Sequence, residues 1–158
     1  MGVFLGLFWV VKYIFMILGG SNQLFGLIYI ILTLLVPFIA YRCTLIYRSY
    51  NDAQNFSFYH AWQFGLLLYA FAALIVAPLH FYYYKNIATP EVLSAAVNQT
   101  VNMLEEMKVS SEWIEKIKSV GIPTPIQMAF QGIANNITIG AILSVPVALL
   151  TRRKKKTI

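Results

Sequence analysis

The chain has 158 residues, of which 59% are hydrophobic and 11% are charged, and its formal net charge is +6. An average soluble domain carries about 25% charged residues, so this composition excludes an ordinary soluble fold, and the length allows a single domain, residues 1–158. The positive charge does not point to nucleic acid, because much of it lies in one run directly after the last apolar stretch, where a membrane anchor would be.

Four stretches almost free of charge dominate the sequence: residues 3–18, 24–41, 58–84 and 126–150. A helix needs about 20 residues to cross the hydrocarbon of a bilayer. These stretches are apolar on all sides, whereas a surface helix of a soluble protein has one polar face. The sequence therefore predicts an all-α integral membrane protein with four transmembrane helices.

Lys12 is the most unusual residue of the first span, because a lysine near the centre of a membrane helix costs about 2.5–3.5 kcal/mol on insertion scales. Two interpretations remain open. In the first, Lys12 faces the interior of the bundle and has a functional role, which is the default hypothesis for such a residue. In the second, it is a structural lysine bonded to backbone or hydroxyl groups.

The short connection at residues 19–23 makes the first two spans antiparallel neighbours. Arg42 and Arg48 then lie in the connection between the second and third spans, on the side that the C-terminal tail, residues 151–158, also reaches. The positive-inside rule makes this side cytoplasmic. We therefore expect both termini in the cytoplasm, residues 85–125 outside it, and the location to be a bacterial inner membrane.

The basic tail is expected to contact anionic lipid headgroups. Its candidate residues are Arg152, Arg153, Lys154, Lys155 and Lys156.

No motif in the chain predicts catalysis, a cofactor or a metal. Cys43 is the single cysteine, so an internal disulfide is excluded. His60 and His80 are the two histidines; twenty positions apart on one helix, they would be separated by about 30 Å and could not share a metal ion.

The outer segment, residues 85–125, has the signals of two amphipathic helices. Thr89, Pro90 and Glu91 are typical of a helix start: a hydroxyl cap, a proline in the first position and an acid in the first turn. Apolar residues follow at helical spacing, namely Leu93, Val97, Val101, Leu104 and Met107. Ser110 or Ser111 is the expected cap of the second helix, with Trp113, Ile114 and Ile117 on its apolar face.

Within the second outer helix, Glu112 and Lys116 form an i,i+4 pair, and Glu115 and Lys118 form an i,i+3 pair. The resulting hairpin must bury its apolar faces. The sequence leaves open whether they lie on the outer leaflet, pack on each other or on a second copy, or dock a different protein.

The fourth span carries small residues at four-residue spacing, and the third span carries a shorter instance of the pattern. Small residues allow helix backbones to approach closely, and amides can bond across such an interface. The predicted helix-packing residues are Gly132, Gly140, Ser144, Ala61 and Gly65. A polar path is the alternative interpretation, with Lys12, Asn135, Asn136 and Thr138 as intramembrane candidates.

Three parts of the chain together resemble a known family, domain of unknown function 4199. They are the stretch Tyr47-Arg48 with residues 56–65, the helical segment after Pro90, and the lysine-tipped last span. This resemblance implies a four-helix inner-membrane protein of the Bacteroidota and supplies no catalytic residue. It also implies an accessory subunit that anchors or positions a membrane-associated glycosyltransferase.

The leading hypothesis is therefore a non-enzymatic accessory or scaffold subunit that docks a membrane partner through the small-residue face of the fourth span and the outer helices. The partner is another membrane protein or a second copy of the chain. The rival hypothesis is a small oligomeric transporter or channel lined by Lys12 and the polar face of the fourth span.

Overall fold

The computed structural model describes residues 1–20, 22–50 and 56–152. Within these ranges it contains six α-helices and no β-strand: α1 (Gly2–Gly19), α2 (Gln23–Tyr50), α3 (Phe58–Asn86), α4 (Pro90–Glu106), α5 (Ser111–Val120) and α6 (Pro125–Thr151). Four of them, α1, α2, α3 and α6, are long and apolar enough to cross a membrane, with mean hydropathies from 1.8 to 2.4. The predicted all-α architecture with four candidate membrane spans is confirmed.

Helix α2 runs on to Tyr50, well past the end predicted at residue 41, so Arg42 and Arg48 lie on a helix and not in a loop. The prediction ended the span where the apolar run stops. Hydropathy marks the edge of the hydrocarbon, but a helix continues as long as its backbone hydrogen bonds and packing support it. Both are present here: Cys43 and Thr44 are buried, and the Arg48 guanidinium donates to the Thr151 carbonyl oxygen of α6 over 2.8 Å.

The first three long helices, α1, α2 and α3, pack side by side with alternating chain direction. Helices α1 and α2 are antiparallel and touch at two glycines, since a Cβ placed on Gly19 would lie 3.2 Å from the backbone nitrogen of Gly26. Helix α1 runs parallel to α3, because Gly2 lies against Phe71 and Gly6 lies against Ile75.

Helices α3 and α6 are antiparallel and form the most extensive helix contact of the described chain. Gly65 of α3 packs directly on Ser144, and Gly140 of α6 packs directly on Tyr69, so that a Cβ at either glycine would clash with the facing side chain. The small-residue face of the fourth span is thus covered by the third span of the same chain. Within the chain, α3 occupies the face that was expected to dock a partner.

Helices α4 and α5 form the hairpin. They make their close backbone contacts with each other and not with the four long helices, and Val101 and Ile114 are buried. The Thr89 hydroxyl accepts a hydrogen bond from the Val92 amide, which confirms the predicted cap. Gly121 ends α5 with a φ of 72°, a conformation that favours glycine.

The two charge pairs predicted within α5 are not the ion pairs that the described residues form. Lys118 instead reaches across to α4, with its Nζ 3.0 Å from Oε1 of Glu105. Lys116 lies over the Trp113 ring, 5.3 Å from its centroid. Spacing along a helix showed which partners are within reach, but the neighbouring helix of the hairpin offered a competing carboxylate that the spacing does not reveal.

Candidate polar site between the long helices

Lys12 is buried between α1 and α2, with only 6% of its surface exposed. Its Nζ lies 5.2 Å from the ring centroid of Trp9, 4.8 Å from that of Tyr13 and 5.4 Å from that of Tyr29. We call these three rings the aromatic cage. Aromatic faces carry partial negative charge and attract a cation within about 6 Å, so the cage replaces part of the hydration that Lys12 loses.

No carboxylate among the described residues pairs with Lys12. The ion pair that the described residues form lies in the hairpin, between Lys118 and Glu105. The five glutamates of the chain all belong to α4 or α5. The structural-lysine interpretation expected Lys12 to bond to backbone or hydroxyl groups. Among the described residues, the Lys12 side chain makes no such hydrogen bond. The cage is what surrounds it instead.

His80 of α3 also contacts Tyr13. The two rings meet edge to face with centroids 4.3 Å apart, and His80 is 7% exposed. A Cβ placed on Gly132 of α6 would lie 2.7 Å from Nδ1 of His80, so the glycine makes room for the imidazole. Neither ring nitrogen of His80 has a hydrogen-bond partner within the part of the chain that the structure describes.

Asn136 of α6 completes the group. The Tyr13 hydroxyl donates to its Oδ1 over 3.5 Å, a long and therefore weak hydrogen bond. The Nδ2 of the same amide is buried without a partner among the described residues, and so are Nε1 of Trp9 and the hydroxyl of Tyr69. We call Lys12, His80, Asn136 and the aromatic cage together the polar site.

The four intramembrane polar candidates do not share one surface. Lys12 and Asn136 both contact Tyr13, whereas Asn135 and Thr138 are exposed on α6. The Thr138 hydroxyl donates to the Ala134 carbonyl oxygen over 2.9 Å, which satisfies it within its own helix. A single pore lining made of all four residues within one chain is therefore excluded by their positions.

A cavity of about 420 Å³ lies between the hairpin and the adjoining ends of α3 and α6. Thr100 of α4 and Ile117 of α5 line it on one side, and Tyr84, Gly132 and Asn135 line it on the other. Gly132 is the residue against which the His80 imidazole rests, so the polar site begins directly behind the wall of this cavity. The hairpin thus lies over the part of α3 and α6 next to the polar site.

Sequence reasoning identified Lys12 and Asn136 but missed Trp9, Tyr13, Tyr29 and His80 as their neighbours. Spacing within α1 does place Trp9, Lys12 and Tyr13 within one turn, which was the available signal. The contributions of α2, α3 and α6 have no such signal, because the face that each helix turns inward depends on packing.

The remaining candidates lie at the opposite end of the bundle. Ala61 and Gly65 are buried in the contact between α3 and α6. His60 is exposed, with its Nδ1 3.2 Å from the Ser57 hydroxyl. Arg152 is exposed after the end of α6; Arg153, Lys154, Lys155 and Lys156 fall outside the described residues, so their contact with lipid headgroups stays a prediction.

The fold and the site together define a class: a small all-helical membrane protein, indicated by four apolar helices, with a polar site enclosed between them. The model of the family described as "Protein of unknown function (DUF4199)" matches residues 1–153, and the chain belongs to this family. The resemblance seen in the sequence is confirmed over essentially the whole chain. No curated protein and no solved structure matches the chain.

Proposed function

We propose that the chain is a non-enzymatic accessory or scaffold subunit that docks a membrane partner through its hairpin. The proposed location is a bacterial inner membrane of the Bacteroidota, with both ends of the chain in the cytoplasm and the hairpin outside. Arg42 and Arg48 on α2 and the basic tail support this orientation through the positive-inside rule.

The observation that carries the proposal is the exposed apolar surface of the hairpin. Trp113 is 60% exposed, Met107 is 74% exposed and Met103 is 53% exposed. Tryptophan and methionine are enriched in the cores of protein interfaces. Since α4 and α5 bury Val101 and Ile114 against each other and leave these larger side chains uncovered, a partner has an apolar surface to contact.

Docking is assigned to the hairpin alone, because the small-residue face of α6 is covered by α3. The partner class that we propose is a membrane-associated glycosyltransferase. Its support is the family resemblance described above, and the exposed hairpin gives it a place to bind.

The test is co-purification of the tagged chain from its native host in mild detergent. We expect a stoichiometric membrane-protein partner with the wild type and its loss with Trp113→Ser. Ile122→Ser is the matched control, because Ile122 is also exposed but lies in the link between α5 and α6. Recovery of the wild type only as itself, in a defined oligomer, contradicts the proposal.

A second candidate function, a small oligomeric transporter or channel, is favoured by the burial of Lys12 without a pairing carboxylate among the described residues. Asn135 and Thr138 face outward from the chain, so they would line a path only between copies. The discriminating measurement is flux through liposomes. A Lys12→Leu variant that folds normally and carries an altered flux supports transport, whereas an unchanged flux contradicts it.

A further inference from the structure

We propose that the polar site binds an anion, namely a carboxylate or phosphate group held between Lys12, His80 and Asn136. This inference does not rest on the docking role of the hairpin, and the two can fail separately.

The charge of Lys12 favours an anionic ligand. Lys12 is buried and has no carboxylate partner among the described residues. Removing an ammonium group from water without a counter-charge costs several kcal/mol, and cation–π contacts return about 0.5–2 kcal/mol. A negatively charged ligand supplies the missing counter-charge, whereas a cation would be repelled and a neutral ligand would leave the charge uncompensated.

The unpaired polar groups of the site include hydrogen-bond donors. Nε1 of Trp9 and Nδ2 of Asn136 can only donate hydrogen bonds, and both are buried without a partner within the described residues. The one acceptor of the Asn136 side chain, Oδ1, is already engaged by Tyr13. More than about 90% of buried polar groups in proteins are hydrogen-bonded, so a cluster of unused donors calls for a ligand that brings acceptors.

The polar groups of the site lie around one residue, Tyr13. Three groups of the polar site contact the same side chain, Tyr13: the Lys12 Nζ over its ring at 4.8 Å, the His80 ring at 4.3 Å and the Asn136 Oδ1 at 3.5 Å. Trp9 joins them through Lys12, whose Nζ lies 5.2 Å from its ring. The cation and the unused donors therefore lie around one residue, and a carboxylate or phosphate has several lone pairs with which to accept from them.

A ligand can approach the polar site from a neighbouring cavity. The cavity beneath the hairpin, of about 420 Å³, is bounded by Gly132, and behind Gly132 lies the His80 imidazole. Because glycine has no side chain, a small shift of His80 connects the cavity to the polar site. The same anionic chemistry can come from a free solute or from a lipid headgroup that enters beside the hairpin.

The test measures the thermal unfolding midpoint of the full chain in phosphatidylcholine nanodiscs. One arm adds sodium acetate or sodium phosphate at constant ionic strength, which a bulky sulfonate buffer maintains. The other arm replaces part of the lipid with phosphatidylglycerol and adds no small anion. A ligand of the folded state at about 100 times its Kd raises the midpoint by roughly 5–10 °C for a chain of this size.

We expect a saturable rise in at least one arm with the wild type, and its loss with Lys12→Met. Lys85→Met is the matched control, because Lys85 also lies over a ring, 5.6 Å from the centroid of Phe81, but is exposed. A rise in the acetate or phosphate arm identifies a solute as the source, and a rise confined to the phosphatidylglycerol arm identifies a lipid headgroup.

Trp9→Phe keeps an aromatic ring and removes the Nε1 donor, so it should weaken the apparent affinity several-fold. This variant decides the matter if Lys12→Met does not fold. The proposal is overturned by the absence of a saturable rise in both arms, by an equal rise in Lys12→Met, or by an unchanged affinity in Trp9→Phe.

Discussion

The ring of Tyr13 meets the ring of His80 edge to face, with their centroids 4.3 Å apart. The contact joins α1 to α3 in the interior of the bundle, and the hydroxyl of the same tyrosine reaches Asn136 of α6. Its ring centroid also lies 6.3 Å from that of Tyr29 on α2, so one side chain connects all four long helices. Substitutions can test the hydrogen bond of Tyr13, the close packing at Gly132 and Gly140, and the start of helix α4.

Tyr13→Phe should destabilise the folded chain by about 0.5–1.5 kcal/mol, and toward the lower end because the lost hydrogen bond is 3.5 Å long. The ring contact with His80 remains in this variant. Unfolding in mixed micelles measures the change. Tyr82→Phe is the control, since Tyr82 is 57% exposed. A loss as large as that expected for removal of the whole ring, about 3–5 kcal/mol, would mean that the hydroxyl has a different partner.

Gly132→Ala should destabilise the chain by roughly 1–3 kcal/mol, because the added methyl group would lie 2.7 Å from Nδ1 of His80 and displace the imidazole. Gly26→Ala is the matched control. It also lies in a long helix, a Cβ added there would meet no atom within 4 Å, and alanine is the better helix former by about 1 kcal/mol. Equal effects of the two substitutions in the same unfolding assay would contradict the packing of His80 on Gly132.

Gly140→Ala should destabilise the chain through a clash with Tyr69, and Gly140→Leu should prevent normal packing of α3 on α6. The loss arises inside one chain and does not depend on a partner. A double-mutant cycle with Tyr69→Ala measures it, because removing the tyrosine ring opens the space that the new methyl group needs. We expect the two changes to couple favourably by about 0.5–3 kcal/mol. Additive effects would show that Gly140 does not face Tyr69.

Acidification should loosen the start of α4. The Thr89 hydroxyl donates to the Glu91 carboxylate and lowers the pKa of Glu91 below its ordinary value of 4.5. Because the pKa is lower in the folded state, the ionised carboxylate stabilises the fold above pH 4.5, and this contribution is lost as the pH falls through the folded-state pKa.

Hydrogen exchange of the first amides of α4 across a series of acidic pH values measures this effect. After correction for the intrinsic pH dependence of exchange, protection should fall on acidification in the wild type and be independent of pH in Glu91→Gln. Glu106→Gln, at the other end of α4, is the control that should keep the wild-type behaviour. A wild-type profile in Glu91→Gln would assign the change to another group.

Several features of the structure followed from local sequence signals. The apolar runs predicted four long helices, and Thr89 with Pro90 predicted the start of α4. The same signals do not show contacts with distant residues. The predicted second span ends at residue 41, and the helix itself continues to Tyr50, with Arg48 bonded to Thr151. The pairing of Lys118 within α5 was wrong, because Glu105 of α4 is its partner.

By itself, the sequence determined the number of long helices, the presence of the hairpin and the family, because hydropathy and helix caps depend on residues close together in the chain. Only the tertiary structure decided that the small-residue face of α6 is covered by α3, and that Lys12 lies among three rings with His80 and Asn136 nearby. The physical reason is that an apolar helix has no polar face to show which side turns inward. Its orientation is set by how side chains of different helices fit together, and the spacing of residues within one helix does not contain that information.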